Sequence, residues 1–142
     1  MSGILVVYTT RTGKTKKIAE SILEGASANG AEVKLVDAKQ IKNESGLDSY
    51  DAYVFGSPTY HGEMMQSMKT TLFIAEKANL EGKVGGAFGA FGWSGEAPER
   101  IYNTVKNIFK MDMVSNFLKL KSTSAGGLQT AQAYGLSLIH IS

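Results

Sequence analysis

Short apolar stretches alternate with amphipathic or polar segments along most of this chain, and this alternation constrains the fold more than any other feature. The clearest stretches are residues 3–8, 32–37, 52–56 and 84–91. Each is rich in apolar side chains and is followed by a polar or glycine-containing turn, as is typical of buried strands. Strands that alternate with helices at this spacing predict an α/β domain with a parallel sheet covered on both faces.

The connecting segments have the periodicity of amphipathic helices. Helices are predicted over residues 14–29 and 64–78, and a third is predicted to open at Pro98. The residues that share one face are Ile18, Ile22 and Ala26 in the first helix, Met65, Met68, Leu72 and Ala75 in the second, and Ile101, Val105 and Ile108 in the third. We expect a fifth strand within residues 113–122 and a last helix from Leu128.

Composition excludes several classes of function. A chain of 142 residues, 43% hydrophobic, is long enough for one domain with its own core. The absence of cysteine excludes disulfides, thiol catalysis and thiolate metal sites. The start of the sequence lacks the pattern of a signal peptide, and no apolar run is long enough to span a bilayer. With a net charge of +2, we expect a cytoplasmic protein with no nucleic-acid or membrane partner.

The loop after the first strand, TTRTGKTKK at residues 9–17, contains four hydroxyl side chains and four cations. Its GKT resembles the end of a nucleotide-binding P-loop, but that motif needs a glycine where this chain has Tyr8. The remaining pattern, T-x-T-G-x-T, lies where a buried strand meets a helix N-terminus, a natural site for an anion. The pattern suits a monophosphate, and the alternative is a helix cap made by threonines.

Two further loops follow strands three and four, and both carry an aromatic residue beside glycine. The first is SPTYHGEMM and the second is FGWSGEAPE, with the single tryptophan of the chain. Ligands of parallel sheets bind at the carboxyl ends of the strands, so all three loops converge on one edge. A phosphate loop beside two aromatic loops fits a flat aromatic phosphate ester, which indicates a flavin.

These loops resemble those of the flavodoxins. VVYTTRTGKTKKIA at residues 6–19 is similar to the family's phosphate-loop signature, whereas FGSPTYHG and FGAFGWSGEA resemble the flavodoxin domain of di-iron A-type flavoproteins. By this resemblance the phosphate of FMN would be enclosed by Thr10, Arg11, Thr12, Gly13, Lys14 and Thr15. The isoalloxazine ring would be enclosed by Ser57, Pro58, Thr59, Tyr60, His61 and Gly62 on one side and by Phe91, Gly92, Trp93, Ser94 and Gly95 on the other.

The resemblance covers about residues 3–135 and implies both fold and function. The implied fold is a flavodoxin-like three-layer sandwich whose five-stranded parallel sheet has the order 2-1-3-4-5. The implied function is electron transfer to and from redox partner proteins, with FMN cycling between oxidised, semiquinone and hydroquinone states. An NAD(P)H:quinone oxidoreductase-type flavoenzyme and a binding module without flavin are the alternatives.

Family features also predict how the flavin is tuned. A carbonyl near Gly62 that turns toward the flavin N5 would favour the semiquinone, and Glu63 and Glu96 beside the ring would lower the second potential. Two features depart from the family. The only histidines are His61 and His140, so the metal motif of the larger flavoproteins is absent, and a pI near 8.8 is unusual for a flavodoxin.

The last seven residues, LSLIHIS at 136–142, do not continue the predicted last helix. They resemble the translation of an adapter used in sequencing libraries, and a true terminal strand is the alternative. We therefore expect a flavodoxin-like FMN-binding domain at 1–135, an aberrant tail at 136–142 and a truncated last helix. The apolar surface left uncovered would favour a homo-oligomer.

Overall fold

The computed structural model describes residues 3–11, 13–28, 30–47, 50–60, 63–90, 96–113, 118–120, 127 and 129–135. The strands are β1 Gly3–Tyr8, β2 Glu32–Asp37, β3 Ala52–Gly56, β4 Thr59–Tyr60, β5 Glu63–Met64, β6 Val84–Ala90, β7 Asp112–Met113 and β8 Leu118–Leu120. The α-helices are α1 Lys14–Ser27, α2 Gln66–Ala75 and α3 Glu96–Asn107, and residues 129–135 are also helical. Short 3₁₀ turns occupy Ala38–Gln40, Glu44–Leu47 and Glu76–Ala78.

The main sheet has the strand order β2-β1-β3-β6, followed by β7 and β8, which both pair with β6. All of these pairings are parallel. The predicted order 2-1-3-4-5 is therefore confirmed, with the fifth position shared by two short strands. β4 and β5 form a separate antiparallel hairpin after β3.

The sheet is covered on both faces, as the continuous apolar strands predict. On one face Ile4 and Val6 of β1 pack with α1 and with the helical segment 129–135. On the other face Leu5 and Val7 pack with α2 and α3. Because successive side chains of a strand point to opposite faces, an unbroken apolar run fits a strand buried between two helical layers.

A tyrosine hydroxyl bonds to the backbone of β6 between the residues that pair with β7 and those that pair with β8. Val84 pairs with Asp112 and Phe88 pairs with Leu118, so the chain advances four residues in β6 and six on the other side. Between these pairs, Ala87 N–H donates to the Tyr134 hydroxyl at 3.0 Å, and this hydroxyl lies 3.3 Å from the Ala87 carbonyl, to which it donates. Burial raises the pKa of Tyr134, so the hydroxyl keeps its proton.

Some boundaries differ from the sequence-based expectations. Residues 63–64 belong to a strand, so the second helix begins at Gln66, and α3 begins at Glu96, two residues before Pro98. Ile108 was predicted to share the buried face of α3 but is 59% exposed, because α3 ends at Asn107. Residues 136–142, the predicted tail, lie outside the described residues. Within the described part of the chain, no helix is long and apolar enough to cross a membrane.

Candidate functional site

The loop between β1 and α1 places the predicted phosphate-binding residues at the carboxyl end of β1. Gly13 is the N-cap of α1 and has φ +92°, a backbone conformation that side-chain-bearing residues rarely adopt. Its N–H donates to Thr10 Oγ1 at 3.0 Å, which folds the loop back before the helix starts. The N-cap is therefore a glycine, and the alternative of a threonine-capped helix is not what the described residues form. Thr12 lies outside them.

The first turn of α1 presents free backbone donors. The first bond of the helix joins Lys17 N–H to Gly13 O at 3.1 Å, so the N–H groups of Lys14, Thr15 and Lys16 have no acceptor within the helix. No acidic side chain lies in this turn. The positive end of the helix dipole therefore faces the loop without an internal anion to balance it.

Thr15 carries the most informative side chain of the loop. It is 1% exposed, and its Oγ1 is buried without a hydrogen-bond partner among the residues that the structure describes. The neighbouring buried Thr9 is different, because its Oγ1 lies 2.6 Å from Ser67 Oγ in a hydrogen bond. A buried hydroxyl without a partner destabilises a fold by about 1–3 kcal/mol, so an external acceptor such as a phosphate explains its retention.

The loop after β3 is held by hydrogen bonds within the chain. The buried Ser57 hydroxyl accepts from Met65 N–H at 2.9 Å and donates to the Pro58 carbonyl at 2.9 Å. Thr59 Oγ1 accepts from Ala97 N–H at 3.0 Å, which joins the β4–β5 hairpin to the first turn of α3. Both side chains already have partners, so their contribution to a ligand site is to fix the shape of the loop.

The segment after β3 lies closely against β6 and the first turn of α3. A Cβ atom on Gly89 would lie 2.2 Å from the Ser57 carbonyl oxygen and 2.9 Å from Pro98 Cγ. Real Cβ contacts are essentially never shorter than 3.0 Å, so glycine is required at this position. The glycine at position 89 thus allows the backbone after β3 to lie directly against β6.

Several predicted ring-binding residues have no described side chain. Tyr60 pairs through its backbone with Glu63 in the hairpin, and only its backbone is described. The following residues lie outside the described part of the chain: His61, Gly62, Phe91, Gly92, Trp93, Ser94 and Gly95. The assignment of the ring-binding loops and of the carbonyl near Gly62 stays a prediction.

The structure gives Glu63 two cationic partners that the sequence did not predict. The Glu63 carboxylate lies 3.5 Å from Arg100 Nε and 3.9 Å from Lys69 Nζ, so the charge predicted to act on a flavin is shared with two cations. Glu96, the other carboxylate of that prediction, begins α3. No sequence pattern links Glu63 to Arg100, or Thr9 to Ser67, because these contacts depend on how separate elements pack.

A groove of about 450 Å³ lies between the phosphate loop and the hairpin. It is lined by Arg11, Glu63, Met64, Met65, Gln66 and Lys69. Arg11 is exposed, as is Lys14 on the first turn of α1. Among the described residues there is no group of three or more His, Asp or Glu side chains placed to hold a metal ion.

A protein-family model described as "Flavodoxin domain" matches residues 5–135 of the chain. A flavodoxin of Clostridium saccharobutylicum is 35% identical over 86 residues, which are 60% of this chain and 53% of that protein. A type A flavoprotein of Rhodobacter capsulatus is 29% identical over 140 residues, which are 95% of this chain. The match spans 32% of that flavoprotein, so the relative is far longer than this chain.

Solved structures agree with the sequence comparison. The structure of a flavodoxin from the domain Archaea has a TM-score of 0.92 and 28% sequence identity, with 98% of this chain and 97% of that chain covered. The similarity thus extends over nearly the whole length of that flavodoxin structure.

Proposed function

Since the chain belongs to the flavodoxin domain family, we propose that it is an FMN-binding electron carrier that serves separate redox partner proteins. FMN is the cofactor that this membership implies. The quinone oxidoreductase alternative is not favoured by the relatives named above. A cytoplasmic location is part of the same proposal.

The observation that carries this proposal is the buried hydroxyl of Thr15, which has no hydrogen-bond partner in the described part of the chain. It lies in the first turn of a helix whose N–H groups at residues 14–16 have no acceptor within the helix. A phosphate ester supplies acceptor oxygens and negative charge, which satisfy both the hydroxyl and the positive helix terminus. A magnesium-bound triphosphate fits less well, since the P-loop glycine is replaced by Tyr8.

The remaining predicted residues would orient the ring. In this proposal Thr10 and Gly13 shape the phosphate loop, whereas Ser57 and Thr59 fix the β4–β5 hairpin. Tyr60, His61 and Trp93 would contact the ring and exclude water from it. FMN itself supplies the redox chemistry, because it accepts and donates one or two electrons, and the protein tunes these steps by stacking, hydrogen bonds and charge.

Titration of the apoprotein with FMN tests the proposal, with riboflavin as the matched ligand that lacks the phosphate. We expect quenching of FMN fluorescence with one site per chain, and at least about tenfold weaker binding of riboflavin, since the phosphate loop supplies much of the affinity. Folded protein that leaves FMN fluorescence unchanged contradicts the proposal. Equal affinity for the two ligands removes the role assigned to the phosphate loop.

A further inference from the structure

Two large apolar side chains are exposed on the same side of the molecule. Phe73 on α2 is 65% exposed and Ile108, just after α3, is 59% exposed, and no other described large apolar side chain is exposed to this degree. Both line a groove of about 260 Å³, here called the α2–α3 groove. Its other lining residues are Met64, Lys69, Leu72, Glu76, Thr104 and Phe109. Exposed apolar surface that is gathered in one place marks an interaction surface.

The α2–α3 groove continues toward the candidate site. Met64 and Lys69 also line the groove that reaches Arg11 in the phosphate loop. Met64 lies on β5, which pairs with β4 in the hairpin that carries Thr59 and Tyr60. A protein bound along this surface would therefore lie beside the loops that are proposed to hold the flavin.

The rim of this surface is basic. Four cations lie along it, Arg11, Lys69, Lys77 and Arg100, and the carboxylates beside them are Glu63 and Glu76. Lys77 Nζ lies 5.3 Å from the centre of the Phe73 ring, which keeps a positive charge directly beside the apolar surface.

We propose that the α2–α3 groove docks the acidic face of a redox partner protein, with a large apolar side chain of the partner between Phe73 and Ile108. Such a surface combines the two properties that protein docking needs. The basic rim attracts and orients an acidic partner, and the apolar centre supplies an anchor that excludes water. This inference rests on the proposed function, because an electron carrier must bind its partners beside its redox group.

Calorimetry and NMR of the FMN-loaded, oxidised protein test the docking without any electron transfer. The probe is a small acidic ferredoxin, and the opposite-charge probe is basic cytochrome c. We expect ferredoxin to bind more tightly than cytochrome c and to shift amide signals of α2 and α3. Its Kd should rise at least about tenfold between about 20 and 200 mM salt, since screening weakens attraction between exposed charges.

Substitutions locate the surface. Lys69→Glu and Phe73→Ser should each raise the ferredoxin Kd about tenfold, because the first reverses a rim charge and the second removes the apolar anchor. The matched control is Lys34→Glu, which makes the same charge change at an exposed position on the edge strand β2. We expect it to change the Kd by less than about twofold.

Several outcomes overturn the docking proposal. These are absent ferredoxin binding, tighter binding of cytochrome c, or equal effects of Lys34→Glu and Lys69→Glu. Self-association that Phe73→Ser abolishes while the ferredoxin Kd stays unchanged would assign the groove to a second copy of the chain instead. FMN quenching on the same samples distinguishes failure of the docking proposal from failure of the proposed function. A protein that quenches FMN normally but does not bind ferredoxin as expected contradicts only the docking proposal.

Discussion

Two buried polar regions of this molecule differ in how their hydrogen bonds are satisfied. In the middle of β6, the Ala87 N–H and carbonyl both bond to the Tyr134 hydroxyl. At the junction of β1 and α1, the Thr15 hydroxyl is equally buried and has no partner among the described residues. Within the described part of the chain, one buried polar site is thus satisfied by a side chain and the other is not.

This difference separates a structural role from a binding role. Buried polar groups are nearly always hydrogen-bonded, so a site where the chain itself supplies no partner is one where a ligand is expected. Tyr134 should therefore contribute to stability and have no effect on ligand affinity. Thr15 should contribute to ligand affinity and not to stability. The substitutions below test this assignment of a structural role to Tyr134 and a binding role to Thr15.

The largest effect is expected for Tyr134→Phe. Without the hydroxyl, both backbone groups of Ala87 lose their partner among the described residues, and the free energy of unfolding should fall by about 3 kcal/mol. Urea denaturation measures this loss. The FMN affinity of the folded fraction should stay within about twofold of wild type. A large loss of affinity would contradict a purely structural role for Tyr134.

Tyr50→Phe is the matched control for that substitution. Tyr50 is half-buried and stacks edge-on against Tyr53 with ring centres 5.9 Å apart, and its hydroxyl makes no hydrogen bond within the described part of the chain. Its removal should change the free energy of unfolding by less than about 0.5 kcal/mol. A loss equal to that of Tyr134→Phe would show that the hydrogen bonds to Ala87 are not the cause.

The raised pKa of Tyr134 predicts a loss of stability at alkaline pH. Burial, the main cause, keeps this hydroxyl protonated in the folded protein above its ordinary pKa of 10.0, whereas the unfolded chain releases the proton there. The unfolded state then binds fewer protons, so stability is complete below pH 10 and falls above it by about 1.4 kcal/mol per pH unit. Parallel denaturation series for wild type and Tyr134→Phe isolate this contribution, which should be absent from the variant.

Gly13→Ala tests the backbone of the phosphate loop. The φ of +92° places Gly13 in the left-handed region, where alanine is strained, so the free energy of unfolding should fall by about 1 kcal/mol and FMN affinity should fall as well. Gly30→Ala is a close control, because Gly30 has φ +94°, has similar open space and lies at the far end of α1. It should cost the same stability without weakening FMN binding, and equal effects on affinity would refute the role of the loop.

The smallest effect is expected for Lys14→Gln. Lys14 is exposed in the first turn of α1, where solvent and salt screen its charge. FMN affinity at about 0.15 M salt should fall by no more than about threefold, because the backbone donors and the buried hydroxyl hold the phosphate. A hundredfold loss of FMN affinity in the same titration would mean that the charge of the lysine, and not the backbone donors and the hydroxyl, holds the phosphate.

Much of the fold could be predicted from the sequence, because unbroken apolar strands and helical rows of apolar residues leave few alternatives. The position of β1 and the start of α1 at Lys14 follow directly from such patterns. The hydrogen bonds between Tyr134 and Ala87 do not, since they join β6 to a distant part of the chain. Ile108 was wrongly placed in the core because periodicity does not indicate where a helix ends.

The candidate site was predictable in part. The motif around Gly13 identifies the phosphate loop. Glycine and hydroxyl residues at a strand-to-helix junction are suited to bind an anion, because the helix N-terminus there offers N–H groups and positive charge. Thr9 pairs with Ser67, whereas Thr15 has no partner among the described residues, and only the packing of α2 against the loop reveals this difference. Likewise, the charge of Glu63 was foreseen but its cations were not, since Arg100 lies on a separate helix.

Thr15→Val tests the central claim most directly, because valine keeps the shape of threonine and removes only the hydroxyl. We expect the free energy of unfolding of the apoprotein to stay constant or rise by up to about 1 kcal/mol, as an unsatisfied buried polar group is lost. The FMN Kd, measured by fluorescence quenching, should rise about tenfold, while the Kd for riboflavin stays unchanged. An unchanged FMN Kd, or equal weakening of both ligands, would contradict the claim that this hydroxyl binds the phosphate.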